Sequence, residues 1–257
     1  MPGTIRFQIV IPARFGSERL PAKPLAMIAG KPLVQHVYER AAESGAAGIT
    51  IATDDQRILD ACRAFGADAL LTSPAHQSGT DRVAEVAGVR QWGADDIVVN
   101  LQGDEPLMPP ALIAQAAQTL QAAPDAGIAT LATPIVERDE FENPNAVKVV
   151  CNQHGRALYF SRSPIPFERG STGQVDDGRR LGWRHIGLYA YRVATLQTLT
   201  GTPPCRLEQA ERLEQLRALW LGIGIAVAGV EPAPPPGVDT PADLERVEQW
   251  LTAVAPI

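Results

Sequence analysis

The 257-residue chain has no stretch of about 18 consecutive apolar residues, so the sequence predicts no membrane-spanning helix. Its opening residues, MPGTIRFQIVIPAR, contain too short an apolar run for a signal peptide and no small-residue cleavage site behind that run. We therefore expect a cytoplasmic protein that does not insert into membranes.

Cysteine is scarce and scattered. Cys62, Cys151 and Cys205 form no C-x-x-C pair, and no histidine stands at zinc-ligand spacing from them. Free cysteine usually behaves as a small core residue, so we expect three buried thiols and no zinc site.

Excess positive charge is also missing: the formal net charge is −6 and the pI is near 5.3. Such a chain does not attract nucleic acid or anionic lipid non-specifically, and any basic groups that bind phosphate must be local. The G-x-x-x-x-G-K-[ST] loop is absent, and no G-x-G-x-x-G follows a predicted strand. ATPase and dinucleotide-binding functions therefore lose their usual support.

The apolar residues, 45% of the chain, are arranged in alternating strand and helix patterns. Short β-branched runs predict buried strands at 7–11, 49–52, 97–100, 128–131 and 147–150. Apolar spacings of three and four predict helices at 32–43, 56–65, 81–91 and 110–121. This alternation predicts an α/β fold in which a mostly parallel, doubly wound sheet is covered by helices on both faces.

The strict alternation ends after about residue 137. Strands are predicted at 157–160, 185–191 and 225–228, and helices at 207–219 and 241–254, the last with Thr240 as its N-cap. The Gly-rich, polar loop at 168–182 is either a lid or disordered. We expect one domain over residues 1–257, since too few residues follow the Pro-rich run 232–236 to form another.

The loop after the first predicted strand reads PARFGSERLPAKPL and contains Arg14, Arg19 and Lys23. Ligands of open α/β sheets bind outside the carboxyl ends of the strands, which is where this loop begins. Glycine and prolines let three cations converge on one polyphosphate while the backbone comes close. The alternative is ordinary solvated surface charge.

Carboxylates follow a later strand in the same way, in the segment Gln102-Gly103-Asp104-Glu105-Pro106. Mg²⁺ held by one or two carboxylates together with phosphate oxygens is the usual way to neutralise a nucleoside triphosphate. Asp104 and Asp239 are the candidate ligands. Asp104 could instead cap the helix that starts near residue 109, and Asp239 could be an ordinary turn residue before the helix start Thr240-Pro241.

Eight segments in order resemble those of the CMP-Kdo synthetase family of acidic-sugar cytidylyltransferases. They are PARFGSERLPAKPL, HQSGTDR (76–82), QGDEP (102–106), NPNAVKVV (143–150), YFSR (159–162), HIGLY (185–189), LEQLR (213–217) and GVDTPADLERV (237–247). One such block is weak support, but the ordered set spans nearly the whole chain. No such pattern covers 167–183 or 200–206.

The resemblance implies a role for each matching residue. It implies that Arg14, Arg19 and Lys23 hold the triphosphate of CTP and, with Asp104, form the catalytic set, while Asp104 and Asp239 bind Mg²⁺. The residues implied around cytosine and ribose are Ala13, Gln77, Ser78, Gly79 and Arg82. The residues implied to contact the sugar acid are Gln102, Arg162, His185, Tyr189, Glu214 and Gln215. Three of these have structural alternatives: Tyr189 as a core aromatic, His185 as a buried and satisfied histidine, and Glu214 as a helix-surface charge.

The resemblance also implies a nucleotide-diphospho-sugar transferase-like fold, with 137–225 as a smaller mixed subdomain for sugar binding and dimerisation. The implied reaction joins CMP from CTP to the C2 hydroxyl of 3-deoxy-D-manno-octulosonate (Kdo) for lipopolysaccharide synthesis and releases pyrophosphate, in a homodimer with Mg²⁺ as cofactor. Three alternatives remain open: 8-amino-Kdo or sialic acid as substrate, a non-catalytic nucleotide-binding protein, and a glycosyltransferase. A glycosyltransferase would need a D-x-D metal pair at a strand end, where this chain has Q-G-D-E-P.

Overall fold

The structure, a computed structural model, describes residues 5–16, 20–169 and 181–254. Arg19 and most of the loop predicted at 168–182 lie outside the described residues. Within the described ranges, no helix is long and apolar enough to cross a membrane.

The strands form one large sheet and a small hairpin. The strands are β1 (Phe7–Ala13), β2 (Met27–Ile28), β3 (Lys31–Pro32), β4 (Gly48–Thr53), β5 (Ala69–Leu71), β6 (Ile97–Asn100), β7 (Ile128–Ile135), β8 (Lys148–Cys151), β9 (Ala157–Ser161), β10 (Gly182–Arg192) and β11 (Ile225–Gly229). The main sheet has the order β11-β7-β10-β6-β1-β4-β5, and β8 pairs with both β10 and β9. β2 and β3 form the hairpin.

Four of the six neighbouring pairs along the path from β11 to β5 are parallel, which confirms the predicted fold class. β10 is the exception in the main path, because it pairs antiparallel with both β6 and β7. It follows the β8–β9 hairpin in the chain with no helix in between, and parallel neighbours require a crossover connection, usually a helix. The hairpin extends the sheet from the first part of β10, so the described strands between residues 137 and 225 belong to the main sheet.

Helices cover both faces of this sheet, as predicted. They are α1 (Leu33–Ala42), α2 (Gln56–Ala64), α3 (Gly79–Val89), α4 (Pro110–Gln121), α5 (Arg138–Glu142), α6 (Val193–Thr200), α7 (Arg206–Glu211), α8 (Gln215–Trp220) and α9 (Pro241–Val254). Ile9 and Ile11 of β1 belong to the core that includes residues of α1, α2 and α4, whereas Val10 belongs to the core that includes residues of α3, α6 and α8. This alternation is the period of two that a strand buried on both faces requires.

A third, smaller core brings the C-terminal segment to the edge of the sheet. Ile28, Leu33, Leu107, Val238 and Val247 pack together. The cluster places the chain around residue 238 next to the loop that follows β6, and the backbone N–H of Val238 donates to the carbonyl of Asp104 (2.8 Å).

The single helix predicted over 207–219 is wrong, because α7 ends and α8 begins within that range. Arg212 has a left-handed backbone with φ of 52°, a conformation that interrupts a right-handed helix. Glu208 and Arg217 pair across the break, with Arg217 Nη2 2.5 Å from Glu208 Oε1. Because of this break, α8 begins at Gln215, directly after Glu214. Both residues were predicted to contact the sugar acid.

The thiol prediction is confirmed for Cys62, which is fully buried, and burial raises its pKa to about 12. Cys151 and Cys205 are only partly buried, so the prediction of three fully buried thiols is wrong for these two. Both lie at the ends of elements, Cys151 at the last position of β8 and Cys205 before α7, where burial is incomplete. At the C-terminal helix, Thr240 Oγ1 accepts from the N–H of Asp243 (3.3 Å), which confirms it as a cap.

Candidate active site

A cavity of about 460 Å³ lies at the carboxyl ends of β1 and β6; we call it the edge cavity. It brings together ten of the residues predicted for the site. Its lining residues are Pro12, Ala13, Arg14, Lys23, Pro24, His76, Gln77, Ser78, Gly79, Arg82, Gln102, Gly103, Asp104 and Asp239. Two strand ends, the start of α3 and the C-terminal segment thus share one space.

The loops after β1 and β6 approach each other closely beside this cavity. A Cβ atom on Gly103 would lie 2.6 Å from the carbonyl oxygen of Pro12, so only glycine fits there without a shift of backbone. Ala13 is buried and Arg14 is exposed at the cavity wall. Gln102 donates its amide hydrogen to Asn100 Oδ1 (3.0 Å), which orients its side chain.

Arg82 is held in the wall by a residue that the sequence analysis did not single out. Asp54, just after β4, accepts from Arg82 Nη2 (2.6 Å) and, with its other oxygen, from the backbone N–H of Phe15 (3.1 Å). Arg82 is almost fully buried and also donates to Thr72 Oγ1 (2.9 Å). Asp54 therefore joins the loop after β1 to α3. Its position at the end of a predicted strand is the signal that could have identified it.

The first turn of α3 faces the same region with its side chains already engaged. Ser78 caps the helix by accepting from the N–H of Asp81 (3.1 Å), and Asp81 accepts in turn from the N–H of Ser78 (3.0 Å). The first backbone N–H groups of a helix have no partner within it and carry partial positive charge. Gly79 lies in this turn and lines the cavity, while the exposed Gln77 donates to the carbonyl of Ala75 (2.9 Å).

Two carboxylates at the cavity edge converge on one ammonium group. Lys23 Nζ lies 2.6 Å from Asp104 Oδ2, 2.8 Å from the carbonyl oxygen of Val238 and 3.2 Å from Asp239 Oδ1. Burial, with the neighbouring charges of Asp104 and Asp239, raises the pKa of Glu105 to about 8. The alternative role of Asp104 as a helix cap is wrong, because Pro109 is the residue that precedes α4.

These carboxylates are placed as a cation site requires, although among the described residues no three His, Cys, Asp or Glu side chains form a metal-binding group. Mg²⁺ usually takes only one or two protein carboxylates and completes its shell with water and phosphate oxygens. Asp104 and Asp239 therefore fit a magnesium ion that is shared with a nucleotide.

Most of the predicted sugar-binding residues lie outside the edge cavity, along β10 and at the start of α8. We call His185, Tyr189, Glu214 and Gln215 the β10–α8 cluster. Ile186 of β10 stands opposite Leu131, and Tyr189 opposite Thr130, so two extra residues bulge out between them.

The bulge brings two rings together. In a regular strand, His185 and Tyr189 would be about 13 Å apart. Here their ring centroids are 5.1 Å apart. Thr130 stabilises the bulge, because its hydroxyl donates to the carbonyl of Leu188 (2.8 Å).

His185 is uncharged at neutral pH, because burial lowers its pKa to about 3. Its Nε2 lies 3.0 Å from Thr130 Oγ1, and its ring packs against Phe160 with centroids 5.2 Å apart. The ring can therefore act as a neutral hydrogen-bonding group, but not as a cation for a carboxylate.

Two polar atoms of this cluster are buried without a hydrogen-bond partner among the described residues: Tyr189 Oη and Gln215 Nε2. Such atoms cost free energy in a folded protein unless a ligand or water satisfies them. Glu214 has a pKa that burial raises and that hydrogen bonds from Thr80 and Ser78 lower in part. Glu214 is therefore not a surface charge, and it connects the cluster to the start of α3.

Arg162 is more constrained than the sequence indicated. Its Nε donates to the carbonyl of Glu211 (2.8 Å) and its Nη1 to that of Pro144 (3.0 Å). The Glu211 carboxylate accepts from Ser161 Oγ (2.7 Å) and from the N–H of Arg162 (2.9 Å). Glu211, at the end of α7, is thus a second residue that the sequence analysis missed, and it fixes β9 against the break before α8.

Comparison with known proteins finds the same family along nearly the whole chain. A family model described as cytidylyltransferase matches residues 8–225. A 3-deoxy-manno-octulosonate cytidylyltransferase of Halorhodospira halophila is 56% identical over 251 residues, 96% of this chain and 98% of that protein. One of Pseudomonas syringae pv. syringae is 54% identical over 251 residues, 96% of this chain and 99% of that protein. A solved CMP:2-keto-3-deoxy-manno-octonic acid synthetase in complex with CTP is 46% identical, with a TM-score of 0.88 over 97% of this chain and 99% of that one.

Proposed function

The chain belongs to the cytidylyltransferase family, and we propose that it transfers CMP from CTP to the C2 hydroxyl of Kdo and releases pyrophosphate. The observation that carries this proposal is the edge cavity, where basic groups, a helix N-terminus and two converging carboxylates line one space of about 460 Å³. That combination suits a nucleoside triphosphate with a divalent cation.

We place the nucleotide in the edge cavity. Cytosine and ribose contact the backbone at Ala13. They also contact residues at and just before the start of α3, namely Gln77, Ser78, Gly79 and Arg82. Arg14 and Lys23 reach the phosphates, and Arg19, outside the described residues, belongs to the same proposal.

Asp104 and Asp239 would hold Mg²⁺. When bound, the ion neutralises phosphate charge and lowers the pKa of the attacking hydroxyl. Both carboxylates would face the triphosphate of CTP, together with Lys23. The hydrogen bond between the Val238 N–H and the Asp104 carbonyl holds the segments that carry the two carboxylates next to each other. No residue of the edge cavity needs to form a covalent intermediate.

The sugar acid is proposed to lie between Gln102 and the β10–α8 cluster. Tyr189 Oη and Gln215 Nε2 each have hydrogen-bonding capacity left to offer a polyol. Because His185 is neutral, the positive charge for the sugar carboxylate falls to Arg162, two of whose donors are already bonded to backbone carbonyls.

The reaction is a direct displacement. The C2 oxygen bonds to the α-phosphorus of CTP as the bond to the β-phosphate bridging oxygen breaks, the hydroxyl proton leaves, and pyrophosphate departs with the electron pair. Arg14, Arg19 and Lys23 stabilise the charge that builds on the leaving group, so catalysis rests on positioning and electrostatics.

Pyrophosphate release tests the proposal. The purified protein is given Mg²⁺, each of the four nucleoside triphosphates, and Kdo, 8-amino-Kdo or sialic acid. We expect release only with CTP and most rapidly with Kdo. Faster release with another sugar acid would keep the chemistry and change the substrate, whereas no release with any sugar acid would favour a non-catalytic nucleotide-binding protein.

We further propose a cytoplasmic homodimer that contacts through the second half of the chain. Large apolar side chains exposed there support a protein interface, since Leu158 is 60% and Phe167 is 87% exposed. Sedimentation of the purified protein tests this, and we expect twice the mass of 27.5 kDa. A monomer at all concentrations would contradict the dimer without affecting the proposed reaction.

A further inference from the structure

We propose that Lys23 is the resident cation of the proposed magnesium position and must leave it when the metal and nucleotide bind. The inference rests on the proposed function, because it assigns a second role to a residue of the same site. It predicts that the nucleotide-free protein binds divalent cations poorly and that nucleotide and metal bind cooperatively.

The contacts of Lys23 leave its ammonium group no free donor. An ammonium has three N–H donors, and Lys23 has three acceptors: Asp104 Oδ2 (2.6 Å), the Val238 carbonyl (2.8 Å) and Asp239 Oδ1 (3.2 Å). Its side chain is only 15% exposed. In this arrangement Lys23 can contact phosphate only by giving up at least one of these bonds.

The acceptors are held in place by the fold rather than by Lys23 alone. Val238 is almost fully buried, and its N–H bonds to the Asp104 carbonyl. The N–H of Asp239 donates to Asp243 Oδ2 (2.9 Å) at the start of α9. A Cβ on Gly237 would lie 2.9 Å from both the Asp104 carbonyl and Glu105 Oε1, so the two segments touch. The cation position is therefore preformed.

Charge balance explains why a cation must be present there. The carboxylates of Asp104 and Asp239 both lie within 3.2 Å of the one ammonium group, so two negative charges face each other across a single positive one. The Lys23 ammonium is attached to the protein, so its effective concentration at the two carboxylates is high. Free Mg²⁺ has to compete with it for the same carboxylates. Triphosphate oxygens offer the ammonium an alternative partner, so nucleotide binding lowers the cost of releasing the carboxylates to the metal. Such coupling is reciprocal.

Removal of the ammonium should therefore create a metal site in the nucleotide-free protein. We expect Lys23→Met to bind Mn²⁺ about tenfold more tightly than wild type, measured by the loss of the free Mn²⁺ paramagnetic resonance signal without nucleotide. Lys31→Met is the matched control, because Lys31 pairs with Glu39 on α1 (2.7 Å) and should leave Mn²⁺ binding unchanged. Asp104→Asn added to Lys23→Met should abolish the gain.

Mn²⁺ binding by folded Lys23→Met that is no tighter than wild type would overturn the inference. A measurement on wild type keeps the test open if the variant does not fold. The chain has three lysines, so ¹³Cε-lysine labelling gives three assignable signals. We expect the Lys23 signal to shift with Mg²⁺ and CTP together and to stay unchanged with millimolar Mg²⁺ alone; a shift with Mg²⁺ alone contradicts the proposal.

The proposed reaction and the proposed role of Lys23 can each fail without the other. Pyrophosphate release from CTP and Kdo by wild type, with no gain of Mn²⁺ binding in Lys23→Met, leaves the proposed function and removes the role of Lys23. A gain of Mn²⁺ binding without pyrophosphate release from any sugar acid keeps the cation exchange and removes the proposed reaction.

Discussion

Charged groups around the edge cavity are paired with one another, whereas polar groups of the β10–α8 cluster are partly without partners. Arg82 pairs with Asp54, and Lys23 pairs with Asp104. By contrast, Tyr189 Oη and Gln215 Nε2 have no partner among the described residues, and His185 is uncharged. A triphosphate requires charged groups around it, and these pair with one another within the protein, whereas a polyol can be bound by neutral hydrogen-bonding groups.

The largest expected effect is on the charged side. Asp104→Asn removes one of the two carboxylates proposed for Mg²⁺, and we expect turnover to fall at least ~100-fold. The measurement is pyrophosphate release at saturating CTP and Kdo. Asp125→Asn is the control, because Asp125 pairs with Arg156 in an ion pair and neither residue lines the edge cavity. Near-normal turnover of Asp104→Asn would remove its metal role.

Asp54→Asn tests whether the pairing of charges positions the nucleotide. The buried Arg82 would lose its carboxylate partner, so we expect the KM for CTP to rise about tenfold while the KM for Kdo stays unchanged. The control is the adjacent Asp55→Asn, which disturbs the cap of α2 and Arg57, whose guanidinium packs on the Phe15 ring, but leaves the Asp54–Arg82 pair in place. An equal effect of both variants on CTP would show that Asp54 has no special role.

The edge cavity could be predicted from the sequence better than the β10–α8 cluster. The parallel sheet follows from apolar runs and helical spacing that are local in the chain, and Arg14 and Asp104 follow from the rule that strand ends carry the site. Asp54 obeys the same rule, but its partners Phe15 and Arg82 are distant in sequence. Only folding shows which acid among several at strand ends is buried against an arginine.

The β10–α8 cluster was less predictable for a different reason. Its geometry depends on irregular backbone, namely the bulge between Ile186 and Tyr189 and the left-handed Arg212. A bulge or a break has no periodic pattern of its own, so apolar spacing indicated a regular strand and one continuous helix. Burial of His185 was left as an open alternative by the sequence, and the structure is needed to show that this burial lowers its pKa to about 3.

Tyr189→Phe should change stability and substrate use in opposite directions. Removal of a buried hydroxyl without a partner is expected to stabilise the free protein by about 1 kcal/mol. The KM for Kdo should rise several-fold while that for CTP stays unchanged. Tyr191→Phe is the control and should not be stabilising, because Tyr191 shares a hydrogen bond with Thr80. Denaturant unfolding measures the change in stability, and initial rates measure the change in KM. If Tyr189→Phe is less stable than wild type, the hydroxyl has a partner in the folded protein.

The smallest effect is the pH dependence that His185 contributes to stability. Its folded pKa of about 3 lies below the ordinary value of 6.5, so between these values the unfolded chain binds more protons than the folded one. Stability is then fully present above pH 6.5 and is lost as the pH falls toward 3, by about 1 kcal/mol at pH 5.5. His185→Gln should therefore lose less stability than wild type between pH 7.5 and 5.5 in urea unfolding. His154→Gln, on an exposed turn, is the control and should follow wild type. An identical pH slope in His185→Gln and wild type would mean that water reaches the imidazole in the ligand-free protein. The neutral character assigned to the β10–α8 cluster would then require a bound ligand.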